Sequence, residues 1–171
     1  MCKVTVIPIN CGFVPTVNYP RPVLVHDAGT ALLYFTAAAR SPDTGEQRVV
    51  AVCELCLCSK LGHPNDEALA GHALYPYGLE TYGIFEVRPS PWMDEVKACN
   101  RVAFPAYDMP DSRHIIITLH DHTFECLTDK FTVYPVSEYP AEKILARLLM
   151  TTKEANQVSD STPPERQSSA P

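Results

Sequence analysis

The run His114-Ile115-Ile116-Ile117-Thr118-Leu119-His120-Asp121-His122-Thr123-Phe124-Glu125-Cys126-Leu127-Thr128 constrains the fold more than any other stretch. It is the most β-prone segment of the chain, rich in branched and aromatic residues. As one strand it would be about fourteen residues long, far above the usual five or six. Length therefore predicts a break near Asp121, with Ile115 to Leu119 pairing back on Phe124 to Thr128. A turn at His120-Asp121-His122-Thr123 lacks the Asn-Gly or Asp-Gly that favours a tight hairpin, so a bend or bulge is equally in keeping.

The rest of the chain reads as partners for that hairpin. Thr30 to Ala39 has enough alanine for a helix. The turn chemistry of Ser41-Pro42-Asp43-Thr44-Gly45-Glu46 and the β run from Arg48 to Cys58 make it a strand of a second hairpin. Within that run Val49, Ala51, Cys53, Leu55 and Leu57 share one face, and Val50, Val52, Glu54, Cys56 and Cys58 the other. Both faces are apolar, which predicts an interior strand under a covering layer. Glu54 then stands alone among apolar neighbours and needs a raised pKa or a cationic partner, with Arg48, Arg88, Arg101 and Arg113 as candidates. Glu86 and Glu125 are explained by edge or solvent-facing positions.

Shorter strands are expected at residues 2–9, 23–25, 82–87 and 130–136. Ser90 followed by Pro91, with Asp94 and Glu95, has the signature of a helix N-terminus, with Trp92, Val96 and Cys99 on one face. Residues 140–150 carry the stripe Ile144, Leu145, Leu148 and Leu149 of a second helix. One helical turn fits between Asn65 and Gly71. The expected class is α+β: a mostly antiparallel sheet of about five to seven strands with two or three helices. It forms a single domain over residues 1–151, and residues 152–171 form a disordered tail of polar and charged residues.

Charge and composition narrow the function. The net charge of −6 and the lack of any Lys/Arg run argue against nucleic acid and against an anionic membrane surface. No stretch approaches the roughly 18 apolar residues of a spanning helix. The first residues lack the apolar centre of a signal peptide, so a cytoplasmic location is expected, with the seven cysteines as thiols. Cys53, Cys56 and Cys58 read as small apolar core residues, since the intervening Glu-Leu and Leu supply no zinc-knuckle turn. Cys2 would be exposed on loss of Met1, but the Gly-Ile continuation of N-terminal-nucleophile amidotransferases is absent.

The candidate chemistry lies in three places. His120, His122 and Glu125 can act as acid, base or metal ligands. His120-x-His122-x-x-Glu125 resembles the opening of the first cupin motif over six residues, without its flanking glycines or a second motif. A divalent metal is the cofactor such a trio would hold. The long stretch after the interior strand contributes His63, Asp66 and His72, and loops held by a rigid sheet often carry function. Tyr75, Tyr77 and Trp92 would supply apolar wall, and Glu54 is the third element.

The resulting expectation is a small binding or accessory domain with a His/Glu-lined pocket on an antiparallel sheet, taking a small polar molecule. The alternatives are an enzyme doing acid–base or metal-assisted chemistry with the same residues, and a protein-interaction module using a strand edge or the Tyr/Pro-rich loop.

Overall fold

The computed structural model describes residues 3–39 and 45–139. The chain divides after Glu138, and the second unit lies outside the described residues apart from Tyr139. The expected helix at 140–150, the boundary at 151, the tail at 152–171, Cys2 and most of the 41–46 turn fall outside them too.

Among the described residues there are ten strands and one α-helix. The strands are β1 (Thr5–Pro8), β2 (Phe13–Pro15), β3 (Val23–His26), β4 (Thr30–Ala39), β5 (Glu46–Glu54), β6 (Cys58–Gly62), β7 (Ile84–Arg88), β8 (Arg113–Thr118), β9 (Thr123–Thr128) and β10 (Lys130–Pro135). The helix α1 spans Pro91–Ala103. The expectation of a mostly antiparallel protein holds. The expected single sheet of five to seven strands does not, because the strands form two sheets. One has the order β1-β7-β8-β9-β6; the other runs β10-β5-β4-β2, with β3 also on β4. The expected helical turn between Asn65 and Gly71 is realised as the short 3₁₀ turn Leu69–Gly71, and a second 3₁₀ turn that the sequence did not suggest follows at Tyr75–Tyr77.

The long run divides as its length requires. β8 and β9 pair from Arg113↔Thr128 to Thr118↔Thr123, and the Leu119 N–H closes the loop on the His122 carbonyl at 2.8 Å. β4 pairs with β5 from Thr30↔Glu54 to Ala38↔Glu46, so the ambiguous alanine-rich segment is strand. The β3–β4 turn is held by Asp27, whose Oδ1 accepts from the N–H groups of Gly29 and Thr30.

Period-2 alternation then sets the layers. Leu33 and Phe35 of β4 and Val49, Ala51 and Cys53 of β5 meet Ile115, Ile117, Phe124 and Cys126 of the other sheet in one core. Each fully buried Phe or Ile there contributes about 1.5–3 kcal/mol relative to exposure. The opposite face of the first sheet carries a second core. Phe85, Val87 and Ile116 pack with Leu69, Leu74 and Leu79, which pin the 3₁₀ segment over the strands. That segment shows little periodicity because it is anchored by three separate leucines rather than by a regular stripe. Gly78 ends the second 3₁₀ turn at φ 103°, a conformation that favours glycine.

The run from Arg48 to Cys58 is not one strand. It breaks at Leu55, which adopts φ 52°, and continues as β6 in the other sheet. The return path does the same: β9 passes through Asp129 into β10. Two adjacent antiparallel strands thus bend together, pairing as Lys130↔Glu54 in one sheet and Cys58↔Leu127 in the other. This corner is stitched by Leu57 N–H to the Leu127 carbonyl at 2.8 Å and by Thr128 Oγ1 to the Glu54 carbonyl at 2.6 Å.

Candidate functional site

The outer face of the β8–β9 hairpin carries a connected set of ionisable side chains. Alternation places His114 and Ile116 of β8 beside Glu125 and Leu127 of β9, facing the 3₁₀ segment and α1. Glu125 is only 5% exposed. Its Oε2 lies 2.9 Å from His114 Nε2, and its Oε1 lies 2.8 Å from Lys60 Nζ and 3.4 Å from His72 Nε2. Burial pushes the Glu125 carboxyl up, but hydrogen bonds from His114, His72 and Lys60 outweigh it and hold the group well below the usual carboxylate range.

Behind His114 the network continues. Its Nδ1 lies 2.9 Å from Ser90 Oγ, which also accepts from the Met93 N–H at 3.0 Å. Ser90 is therefore the α1 N-cap that the sequence implies, and it couples the helix to the sheet. Trp92 stands edge-on to His114 with ring centroids 5.4 Å apart, and Lys60 Nζ lies 4.5 Å above the indole.

A second group sits at the tip of the hairpin. His120 Nδ1 lies 3.0 Å from Asp66 Oδ2 and 3.3 Å from the Tyr82 hydroxyl, which donates to the same carboxylate oxygen. Tyr82 adopts φ 55°, an uncommon conformation for an aromatic residue. The backbone ties the same elements: the Asp66 N–H donates to the His120 carbonyl, and Thr123 Oγ1 to the Pro64 carbonyl. The Asp66 carboxyl is pushed up by burial but lies lower on balance, because Tyr82 and His120 hydrogen-bond to it. The Asp66 hydrogen bond in turn raises His120, and with burial it raises the Tyr82 phenol to about 12. Asp66 Oδ1 and His122 Nδ1 are buried without a hydrogen-bond partner among the described residues.

The sequence-derived candidates are thus distributed unevenly. His72 meets Glu125, Asp66 meets His120, and Trp92 abuts His114. His63, Tyr75 and Tyr77 are exposed at the surface. His120, His122 and Glu125 do not form a metal trio: Glu125 is taken by His114, Lys60 and His72, and His120 by Asp66. Among the described residues no group of three or more His, Cys, Asp or Glu is arranged to hold a metal ion.

The glutamates invert their expected roles. Glu54 is not buried; it lies at the end of β5, exposed, with Lys130 Nζ at 3.7 Å. The strand's double-sided burial stops at Cys53, one residue before it. Glu86 and Glu125 are the buried ones. Arg88 and Arg113 pair with Glu86, at 2.6 and 2.9 Å, rather than with Glu54.

His114 and Lys60 are the members the sequence reading missed. Period-2 alternation from Glu125 across the hairpin would have found His114, whereas Lys60 needed the sheet-crossing at Leu55. A cavity of about 430 Å³ opens beside Ser90 and is walled by Arg88, Arg113, Lys97 and Asp111.

Among the described residues no helix is long and apolar enough to cross a membrane. Comparison of the chain with protein-family models, with curated proteins and with solved structures gives no match.

Proposed function

We propose that this chain is a binding domain for a small polar molecule, which it engages at the tip of the β8–β9 hairpin where the 3₁₀ segment meets the sheet. The observation that carries this reading is the Asp66–His120 pair. Asp66 fixes the ring through Nδ1, and the His120 side chain remains 39% exposed. Its other ring nitrogen, Nε2, is bound by no side chain among the described residues and offers a pre-oriented donor or acceptor. Tyr82 and the partly buried Asp66 carboxylate hold that orientation. A second reading, an enzyme working by acid–base chemistry, draws on the same pair. A histidine steadied by a carboxylate is suited to move a proton at Nε2. In either case Glu125, with both oxygens engaged, serves to dock Lys60, His72 and α1 onto the sheet rather than to meet a ligand.

The test is a ligand-detected screen of small polar metabolites by nuclear magnetic resonance, on the full chain, repeated with His120→Ala and Asp66→Asn. Binders of the native chain should lose about tenfold or more in affinity with His120→Ala, a change of about 1.4 kcal/mol. Binders unaffected by both substitutions would overturn the site. Turnover of any binder, abolished by His120→Ala, would decide for the enzyme.

A further inference from the structure

Three of the seven cysteines converge where the two sheets join. Cys53 ends the buried part of β5, and Cys126 lies on β9 in the other sheet; their sulfurs are 3.4 Å apart although 73 residues separate them. Facing sheets ordinarily lie about 10 Å apart. Here Cα atoms of β5 and β9 come within 8 Å, because β5 and β9 are the two strands that bend into the opposite sheet at this corner. The third thiol, Cys56, belongs to the same buried cluster, and its Sγ donates to the Cys58 carbonyl at 3.4 Å. It is almost fully buried, yet it lines a cavity of about 290 Å³ together with Leu55, Leu57, Tyr107 and Met109.

We infer that Cys56, Cys126 and Cys53 form a thiol relay that takes oxidising equivalents from a small-molecule disulfide such as glutathione disulfide and stores them as a Cys53–Cys126 bridge between the sheets. Cys56 is the receiving sulfur because it borders this cavity, whereas Cys53 and Cys126 are fully buried. The Cys126 thiol holds the Cys56 thiol below its ordinary value, which favours the attacking thiolate, whereas contact with Cys53 pushes Cys126 well up. The Cys56 thiolate attacks one sulfur of the small disulfide, whose S–S bond breaks; the departing glutathione thiolate takes up a proton. The Cys126 sulfur, on losing its proton, displaces the second glutathione from Cys56. The Cys53 sulfur then attacks Cys126 and releases Cys56, which regains a proton. The balance is two protein thiols and one small disulfide giving one protein disulfide and two glutathione thiols.

The reduced full chain is incubated with glutathione disulfide, denatured, alkylated, and examined by intact mass and peptide mapping. Free thiols should fall from seven to five, with Cys53 and Cys126 recovered as one linked peptide pair. Cys56→Ser should slow that linkage by about tenfold or more, and Cys99→Ser, at an exposed position, should leave it unchanged. If Cys56→Ser does not fold, the order of alkylation of the native wild-type chain by iodoacetamide reads the same assignment: Cys56 should react before Cys53 and Cys126. The relay is overturned if seven thiols persist, if glutathione adducts form without a linked pair, if the final linkage contains Cys56, or if Cys56 is not the first of the three to react.

Discussion

Glu125 Oε2 and His114 Nε2 meet at 2.9 Å across neighbouring strands, and through this contact the first turn of α1 is wired to the centre of a sheet. Ser90, His114, Glu125 and Lys60 form one hydrogen-bonded line from helix cap to sheet edge. A buried carboxylate of this kind is stabilising only while its donors stay in place.

Glu125→Gln should therefore destabilise the fold by about 2–4 kcal/mol, since it leaves Lys60 and His72 without their anion in a partly buried site. Lys60 is half exposed, which keeps the loss below that of a fully buried pair. Urea denaturation at neutral pH measures it, and an unchanged midpoint would contradict the assigned role.

The same residue sets the acid limb of stability. Its folded-state pKa lies far below the unfolded value of about 4.3, so its contribution is complete above that value. It is lost as pH falls through the folded value. Glu125→Gln should flatten the decline in unfolding free energy below about pH 4, read from denaturation curves across the acid range.

Tyr82 behaves in the opposite sense. Its phenol is raised to about 12 by Asp66 and burial, so its contribution is present below the ordinary phenol value and lost as pH rises through about 12. Absorbance titration should show one phenol ionising near pH 12, about two units above the ordinary tyrosine value, and Asp66→Asn should return it towards that value.

His120 is raised as well, chiefly by its hydrogen bond to Asp66. Its share of stability is present below the unfolded imidazole value and declines as pH rises through the folded one. The Cε1 proton resonance of His120 should titrate above that of a free imidazole and shift down in Asp66→Asn. An unaltered titration would remove Asp66 as the partner.

Glu54→Ala should change stability by no more than about 0.5 kcal/mol, because its ion pair with Lys130 is exposed and long. Ser90→Ala should cost about 1 kcal/mol or slightly more through loss of the α1 cap. Thermal unfolding of the two variants side by side checks the contrast.

The local elements of this fold are largely readable from the chain because local rules decide them. Ser90 and Pro91 announce α1, the Asp27 turn joins β3 to β4, and the excessive length of the His114–Thr128 run demands a hairpin. What the sequence hides is the division into two sheets. The run Val49 to Cys58 keeps its β pattern through Leu55, where a left-handed residue without glycine redirects the chain. Misreading that one residue makes Glu54 look buried, sends Cys56 and Cys58 to the wrong layer, and hides Lys60 from Glu125. At the site, the pairings Asp66–His120 and His72–Glu125 span 54 and 53 residues. They depend on the leucine anchors of the 3₁₀ segment, which follow no regular period.

The bend shared by the β5–β6 and β9–β10 segments has a consequence for how the molecule comes apart. Neither layer owns its strands independently, since each of these two threads serves both layers in turn. Peeling one layer away drags the other's central pairing with it, so the described chain should melt as a single cooperative unit. Excision of either layer alone should give a fragment without lasting tertiary order.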